Sequence, residues 1–506
     1  MITHFIAIDL VKVYKKPQKT IANLKIVLAW GDEVEVIETT AAHIKIAFRD
    51  FKEQPDGSIL PVATEGFILK ASGGRPALTD MIKPIADKDV LMVWFVDVQQ
   101  GDGCVIQTPK GKVLLLDGGE NQLFARFLAA RYSGSSLENP KEIECIIVSH
   151  GDADHFEGLP EILKSESNVN PKKRLFIDPK RVYHNGIVKR PGKKPDGTTR
   201  KDTELLGRTS KVGGELFLTG LEDDLFEVEN QEMNAPFKSW KKTLKEYQDR
   251  HGNLIMKRLD HTSDGDFDFL ESENIETQVL GPIIEKVNNK PALKFLREPR
   301  KSVVGIVNED ETATPTGSFS ASHTINGHSV ILRLKYGNVS FIFAGDLNEE
   351  AEEILVRNQA GTPIQSEILK VPHHGSADFS NRFFEAVKPL VSVVSSGDES
   401  EMKEYIHPRA TLMGALGKHS RIDRPLIFVT ELVAFFKMEG LAKLTANPKK
   451  QFFGFSRAAF GVVNVRTDGK KILVYTNSGQ KGLKESYSYL IANDGDIPVR
   501  QDIVMA

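Results

Sequence analysis

The 506-residue sequence predicts an α+β chain in which a small all-β unit precedes a larger layered domain of strands and helices. Three observations carry that expectation. Residues 1–72 alternate apolar and polar side chains in short β-branched stretches broken by turn residues. From residue 90 onward, strand-length runs that are apolar throughout recur between helix-length stretches, the pattern of strands buried on both faces. Several of those runs end on aspartate or histidine next to glycine, as where a scaffold gathers functional groups at its strand ends.

The first unit contains the stretches Ile6–Ile8, Leu24–Leu28, Val34–Ile37 and Ile44–Phe48, with turns at Gly31-Asp32 and Pro55-Asp56-Gly57, so a meander of five or six strands is expected. The run from Leu28 to Ile37, followed by Glu65 to Ile68, resembles a bacterial SH3-like barrel. Such modules dock peptides, other domains or envelope polymers, which leaves open a protein partner or a packing role with no ligand. Residues 73–89, opened by Ser72-Gly73-Gly74-Arg75-Pro76, read as a linker.

The larger domain is assigned to residues 90–480. Val90–Val96 and Val113–Leu116 read as buried strands, ending at Asp97 and at Asp117-Gly118-Gly119, and a helix is expected from Gln122 to Arg131. The apolar run Ile146-Ile147-Val148 then leads into Ser149-His150-Gly151-Asp152-Ala153-Asp154-His155. Neutral imidazoles and ionised carboxylates are the N and O donors that divalent cations accept, and a strand-to-helix turn can aim several at one point. Taken alone, the heptapeptide also fits an acidic loop with Asp154 capping a helix that starts near Gly158.

Residues 165–325 read as a long insertion, part lid and part loop. Between 171 and 201 it holds eleven Lys or Arg against two Asp, a segment that fits either a phosphate grip or a solvated loop. Regular structure resumes with a hairpin about Tyr336-Gly337-Asn338 whose second strand ends at Gly345-Asp346, and a helix follows from Glu349 to Asn358. A strand then ends at Pro372-His373-His374-Gly375-Ser376, and the strand Leu390–Ser395 precedes Tyr405-Ile406-His407-Pro408. From about residue 425 the chain is β-rich and includes the hairpin Val462–Tyr475; some of this stretch is expected to complete the second sheet, with residues 481–506 as a tail.

A net charge of −3 with 27% charged residues points to no partner class, so any nucleic-acid surface must be local. Two cysteines, Cys104 and Cys145, sit in apolar runs and read as reduced, buried small hydrophobes. No run reaches the roughly 18 apolar residues of a membrane span and no leader pattern opens the chain, so a cytoplasmic protein without a membrane partner is expected.

The ordered set Phe95–Asp102, Leu115–Gly119, Ser149–His155, Ser329–Gly337, Phe343–Asp346, Lys370–Ser376 and Tyr405–Pro408 resembles the metallo-β-lactamase superfamily. More narrowly, it resembles the hydrolase domain of ComEC-type DNA-uptake competence proteins. The resemblance covers about residues 90–420. It implies an αββα sandwich with two divalent metal ions, Zn²⁺ or Mn²⁺, at one edge. It implies His150 and Asp152 as ligands of one metal, Asp154 and His155 of the other, Asp346 as the bridging carboxylate and His407 as the last ligand of the second metal. His373 or His374 lies beside the centre as ligand or proton donor. Asp152 stands where the broad superfamily has histidine, which hardens the site toward Mn²⁺ without excluding Zn²⁺. His328 stands at a frequent ligand position, with Asn326 or His323 as substitutes.

The activity implied is a metal-dependent phosphodiesterase acting on DNA through a hydroxide shared by the two metals. Asp154, His373 and His374 are its candidate catalytic residues, and Lys172, Lys173, Arg174, Lys193, Lys194 and Ser376 its candidate substrate contacts. The alternatives are hydrolysis of a small or envelope phosphodiester, a lactone or a thioester, and, from another class, a non-catalytic metal-binding scaffold.

Overall fold

The computed structural model describes residues 2–53, 59–70, 76–252, 254–298, 317–359, 363–397, 407–431, 435–444, 447–459, 461–477, 485–491, 493 and 499–504. The Pro55–Gly57 turn and the Tyr405-Ile406 pair lie outside them.

Strand Leu91–Val96 shows how the layers arise. It is buried along its whole length, and its side chains alternate between two cores. Leu91, Val93 and Phe95 point to one, Met92, Trp94 and Val96 to the other, as the two-residue period of a strand requires. It belongs to a ten-stranded sheet that runs from Ile255–Arg258 through Arg181–His184, Cys145–Ile147, Val113–Leu116, Cys104–Gln107 and Leu91–Val96 to Val462–Thr467, Lys471–Asn477, Glu485–Leu490 and Val499–Val504. A six-stranded sheet lies behind it: Ile275–Gly281, Ile331–Tyr336, Val339–Phe343, Ile368–Lys370, Val391–Val394 and Leu426–Val429. Between the sheets, Val93, Ile106, Leu114 and Ile147 pack with Leu332, Leu334, Phe341, Phe343 and Val393.

Each outer face carries helices. Phe124 and Leu128 of Leu123–Arg131, Ile162 of Pro160–Ser165, and Trp240, Leu244 and Tyr247 of Ala235–His251 cover the large sheet. Leu355 of Glu349–Asn358, Phe383 and Phe384 of Asn381–Val387, and Leu412 and Leu416 of Ala410–His419 cover the smaller one. The four layers are therefore αββα. Among the described residues, no helix is long and apolar enough to cross a membrane.

The N-terminal unit is a seven-stranded antiparallel sheet, one strand more than expected, with its own core of Ile6, Val13, Leu28, Ile46, Phe48 and Ile68. The seventh strand, Ile82–Pro84, pairs with His4–Ile6. Residues 82–84 are thus part of this sheet and not linker; a three-residue strand is too short to show a period. Trp30 and Phe5 pack with Met92 and Trp94, and the buried Arg466 guanidinium bonds Asp32, so the two units share a core.

Two further expectations are corrected. Residues 165–325 are not a single insertion: Arg181–His184 and Ile255–Arg258 extend the large sheet, Ile275–Gly281 edges the smaller one, and Ala235–His251 is a covering helix. What stands apart is a four-stranded sheet of Thr209–Val212, Glu215–Leu218, Glu285–Val287 and Lys290–Lys294. Leu426–Val429 completes the smaller sheet and the Val462–Tyr475 hairpin joins the large sheet beside Leu91–Val96, while the residues expected as a tail add two strands to that same edge. Local pattern does not place these segments, because strand pairing depends on long-range partners that it does not contain.

Candidate metal centre

Strand ends Val96, Leu116, Ile147, Phe343, Lys370 and Val394 open toward one edge of the sandwich, and their following turns carry Asp102, Asp117, His150 to His155, Asp346, His373-His374 and Ser395. The turns fit closely. Gly101, at φ +103°, lies so near the Asp154 carbonyl oxygen that a Cβ there would come within 1.8 Å of it, so only glycine allows the approach. His373 and His374 both adopt left-handed backbone, φ 46° and 51°, and Gly375 follows at 87°. Non-glycine residues in this region cost on the order of 1–3 kcal/mol each, a strain that a packed site sustains to aim its side chains.

The heptapeptide is not an acidic cap. Asp152 occupies the N-cap position of helix Ala153–Phe156, yet its carboxylate makes no capping bond, and Asp154 lies inside the first turn. Three imidazoles are instead held by Nδ1 with Nε2 facing inward. Asp117 Oδ2 accepts from His155 Nδ1 at 2.9 Å, and the Ser395 carbonyl from His374 Nδ1 at 2.9 Å. The Ser149 and Ser329 hydroxyls lie 3.1 and 3.2 Å from His150 Nδ1. His150 Nε2, His155 Nε2, His374 Nε2 and Asp346 Oδ1 are buried without a hydrogen-bond partner.

These atoms converge. His150, His155 and Asp346 each present one ligand atom within 4.8 Å of the others, and so do Asp154, His155 and His374. Asp346 lies between them, with Oδ1 3.3 Å from His155 Nε2 and Oδ2 3.1 Å from His374 Nε2, and His374 Nε2 is 3.3 Å from Asp154 Oδ2. Buried donors that converge on one point, with their rings oriented from behind by hydrogen bonds, are the arrangement that holds a cation.

Charge argues the same way. Asp102, Asp117, Asp154 and Asp346 surround one buried ammonium, Lys370, which pairs with Asp102 and donates to the Gly345 carbonyl at 2.9 Å. Burial opposes charging His155, yet the Asp346, Asp117 and Asp154 carboxylates hold it well above the ordinary imidazole value. His374 is likewise pushed up to about 10 against burial, chiefly by Asp346. Burial also resists ionising Asp154, but His155 and His374 outweigh it and hold the carboxyl well below the usual range. Such a surplus of carboxylate calls for added positive charge, and N/O donors of this mixture suit Zn²⁺ or Mn²⁺. The donor set therefore fits the metals expected.

The remaining candidates fall in different places. Lys189 Nζ lies 2.8 Å from Asp152 Oδ1, so this carboxylate is held by a protein donor at the rim. His373 Nδ1 is buried beside the cluster without a hydrogen-bond partner, and the His407 ring lies one step further out, 6.3 Å from His373 by centroid. Burial and then His373 lower His407 to about 4. His328 is a correction: it is absent from the convergent groups of ligand atoms among the described residues, and its Nε2 contacts the Lys294 carbonyl oxygen at 2.6 Å.

Ser376 sits at the end of the His373–Gly375 turn, with Oγ accepting from Asp378 N at 3.2 Å. The basic stretch is largely spent on acidic partners. Lys194 pairs with Glu204 at 3.0 Å, Arg200 with Glu232 at 3.4 Å, Arg190 with Glu232, and Arg181 with Glu144. Arg174 Nε donates to the Asn168 carbonyl, the Lys172-Lys173 turn packs on helix Leu123–Arg131 outside the large sheet, and Lys193 is exposed in a bridge to Thr199. The structure thus does not gather Lys172, Lys173, Arg174, Lys193 and Lys194 at the centre. Sequence reasoning missed Lys189 and Lys370, and gave no role to Asp102 and Asp117. Single polar residues beside apolar runs offer no signal until the strand ends meet.

Residues 97–220 match the profile of the metallo-beta-lactamase superfamily. Over 96 residues the chain is 30% identical to ComE operon protein 3 of Bacillus subtilis, covering 19% of this chain and 12% of that protein. Over 95 residues it is 35% identical to competence protein ComA of Neisseria gonorrhoeae, covering 19% of this chain and 13% of that protein. The chain spans about an eighth of the length of these curated relatives. Among solved structures, CmlA, a diiron β-hydroxylase from Streptomyces venezuelae, aligns over 76% of this chain and 68% of that chain with a TM-score of 0.30 and 11% identity.

Proposed function

From the premise that this chain carries a metallo-β-lactamase domain with the metal-dependent hydrolase centre of that superfamily, we propose that it is a phosphodiesterase with two metal ions, acting on DNA. The observation that carries the reading is the convergence of His150, His155 and His374 Nε2 with Asp154 and Asp346, a mixed imidazole and carboxylate set that suits divalent cations. The sequence resemblance to the hydrolase domain of DNA-uptake competence proteins makes nucleic acid the substrate proposed over other esters.

When bound, the metals supply Lewis acidity: they bring a water's pKa toward neutrality and offset charge on the phosphoryl group. The residues of the chain do the rest. Asp154, kept ionised by its imidazole neighbours and held by Gln100 Nε2 at 3.1 Å, orients the attacking oxygen. One histidine of the 373–374 pair would serve as a ligand of the centre and the other would protonate the departing oxygen. A second reading, hydrolysis of a small phosphodiester, is favoured by the pairing of Arg190, Lys194 and Arg200 with Glu232 and Glu204, which reduces the continuous charge a long polyanion needs.

The test incubates the full chain with labelled single- and double-stranded DNA and with bis(p-nitrophenyl) phosphate, with Mn²⁺, Zn²⁺ or EDTA, alongside Asp154→Asn. The expected result is metal-dependent DNA cleavage, abolished by EDTA and reduced at least about 100-fold by the substitution. Turnover of the small diester alone selects the second reading. Equal activity of both proteins, or none with any metal, overturns the first.

A further inference from the structure

We propose that Lys189 is the phosphate-contacting residue of the site, held by Asp152 so that its ammonium faces the substrate beside the metal centre. This rests on the reading above that the centre acts on a phosphate ester, and names one protein group that grips it. Among the described ion pairs of residues 171–201, the others lead away from the site. Arg181, Arg190, Lys194 and Arg200 are matched with Glu144, Glu232 and Glu204, and Lys180 with Asp178. Lys189 alone in that set reaches the metal-binding turn, 2.8 Å from Asp152 Oδ1.

Its backbone is anchored on both sides. The Lys189 carbonyl accepts from Asn234 N at 2.9 Å, Val188 is buried, and Arg190 N donates to the Leu205 carbonyl at 2.7 Å. The side chain therefore leaves a fixed point, and 32% of it is exposed to solvent. The contrast with Lys370 is decisive: that ammonium is 5% exposed, locked to Asp102 and the Gly345 carbonyl beneath the centre, and can reach no substrate. Asp152 Oδ1 holds Lys189 Nζ at 2.8 Å, so it works as a bracket for the lysine. A phosphoryl group drawn to the metals would meet this ammonium at the rim, where a lysine acts as a point charge on a non-bridging oxygen.

The probe is inorganic phosphate, titrated calorimetrically into the Mn²⁺-loaded full chain, with bound metal measured on the same samples. Lys189→Met is expected to weaken phosphate binding about tenfold or more with metal content unchanged, as loss of one charge-assisted hydrogen bond implies. Lys189→Arg, which keeps the charge, retains most of the affinity and guards against misfolding, and Lys194→Met leaves it unchanged. Three results overturn the proposal: no phosphate binding by the unsubstituted protein, equal affinity in Lys189→Met, or loss of metal in that variant. Diester cleavage is scored separately. Lys189-dependent phosphate binding without cleavage keeps this inference and removes the phosphodiesterase reading.

Discussion

Asp117→Asn tests the architecture of the metal centre without touching an atom that faces it. The Asp117 carboxylate accepts three hydrogen bonds: from Ser149 N at 2.7 Å on Oδ1, and from Ser149 Oγ at 2.7 Å and His155 Nδ1 at 2.9 Å on Oδ2. Asparagine matches its shape but has one acceptor oxygen. If that oxygen keeps the Ser149 N–H, an NH₂ group faces His155 Nδ1, and the imidazole must place its proton on Nε2, the atom aimed at the centre. The substitution thus blocks a lone pair that a cation requires. A charge-assisted bond of this kind contributes roughly 1.5–3 kcal/mol, which converts to about 10- to 150-fold in affinity. That range agrees with the roughly 10- to 100-fold loss usual when the partner behind a ligating histidine is removed. Competition against a chromophoric chelator measures the Zn²⁺ and Mn²⁺ dissociation constants, and the melting curve of the metal-free variant checks the fold. A folded Asp117→Asn protein with metal affinity within about twofold of the parent refutes the reasoning, because His155 would then not depend on Asp117 for its tautomer.

Other consequences follow from the same packing and charge. Phe341, fully buried between the sheets, is expected to cost about 3–5 kcal/mol when replaced by alanine, read from the denaturation midpoint. Gly101→Ala drives a Cβ into the Asp154 carbonyl at a positive φ, so metal affinity should fall together with stability by at least about 1 kcal/mol; an unchanged metal titration contradicts it. Glu352 is fully buried, and burial raises its carboxyl well above the ordinary value. A raised folded value means its contribution is complete below about pH 4.3, the unfolded range, and is lost as pH rises through the folded value. Glu352→Gln should therefore flatten the decline of stability above that pH, and parallel pH–stability curves for the two proteins count against it. Replacing Lys194 by methionine should leave the salt dependence of DNA binding unchanged, since its charge is matched by Glu204; a shallower slope would place it on a phosphate.

Much of the scaffold was legible because burial on both faces writes itself into sequence. Leu91–Val96 and Val113–Leu116 are apolar throughout, Val339–Phe343 is apolar but for Ser340, and helix Glu349–Asn358 has the bounds expected. The donors His150, Asp154, His155, Asp346 and His374 could likewise be singled out, because several metal-ligating residues directly after apolar strands have few other uses. Partners made by long-range closure were not legible. Lys189, Lys370 and Asp117 acquire roles only when strand ends hundreds of residues apart in some cases are brought within hydrogen-bonding distance, and the engagement of His328 with Lys294 is likewise a product of packing.

The charge of residues 171–201 shows the division most sharply. Its eleven basic residues are a property of the chain, but whether they form an open cationic surface depends on which acids fold against them. Glu204, Glu232 and Glu144 do so, and leave Lys189 turned toward the centre. Sequence by itself determined which side chains are oily enough to make two back-to-back sheets and which donors end their strands, since both follow from local composition and period. Only the tertiary structure decided which charges are neutralised, which imidazole nitrogens face inward and which carboxylate holds which ring, because electrostatic and hydrogen-bond partners are set by distance in space, and chain order does not carry it.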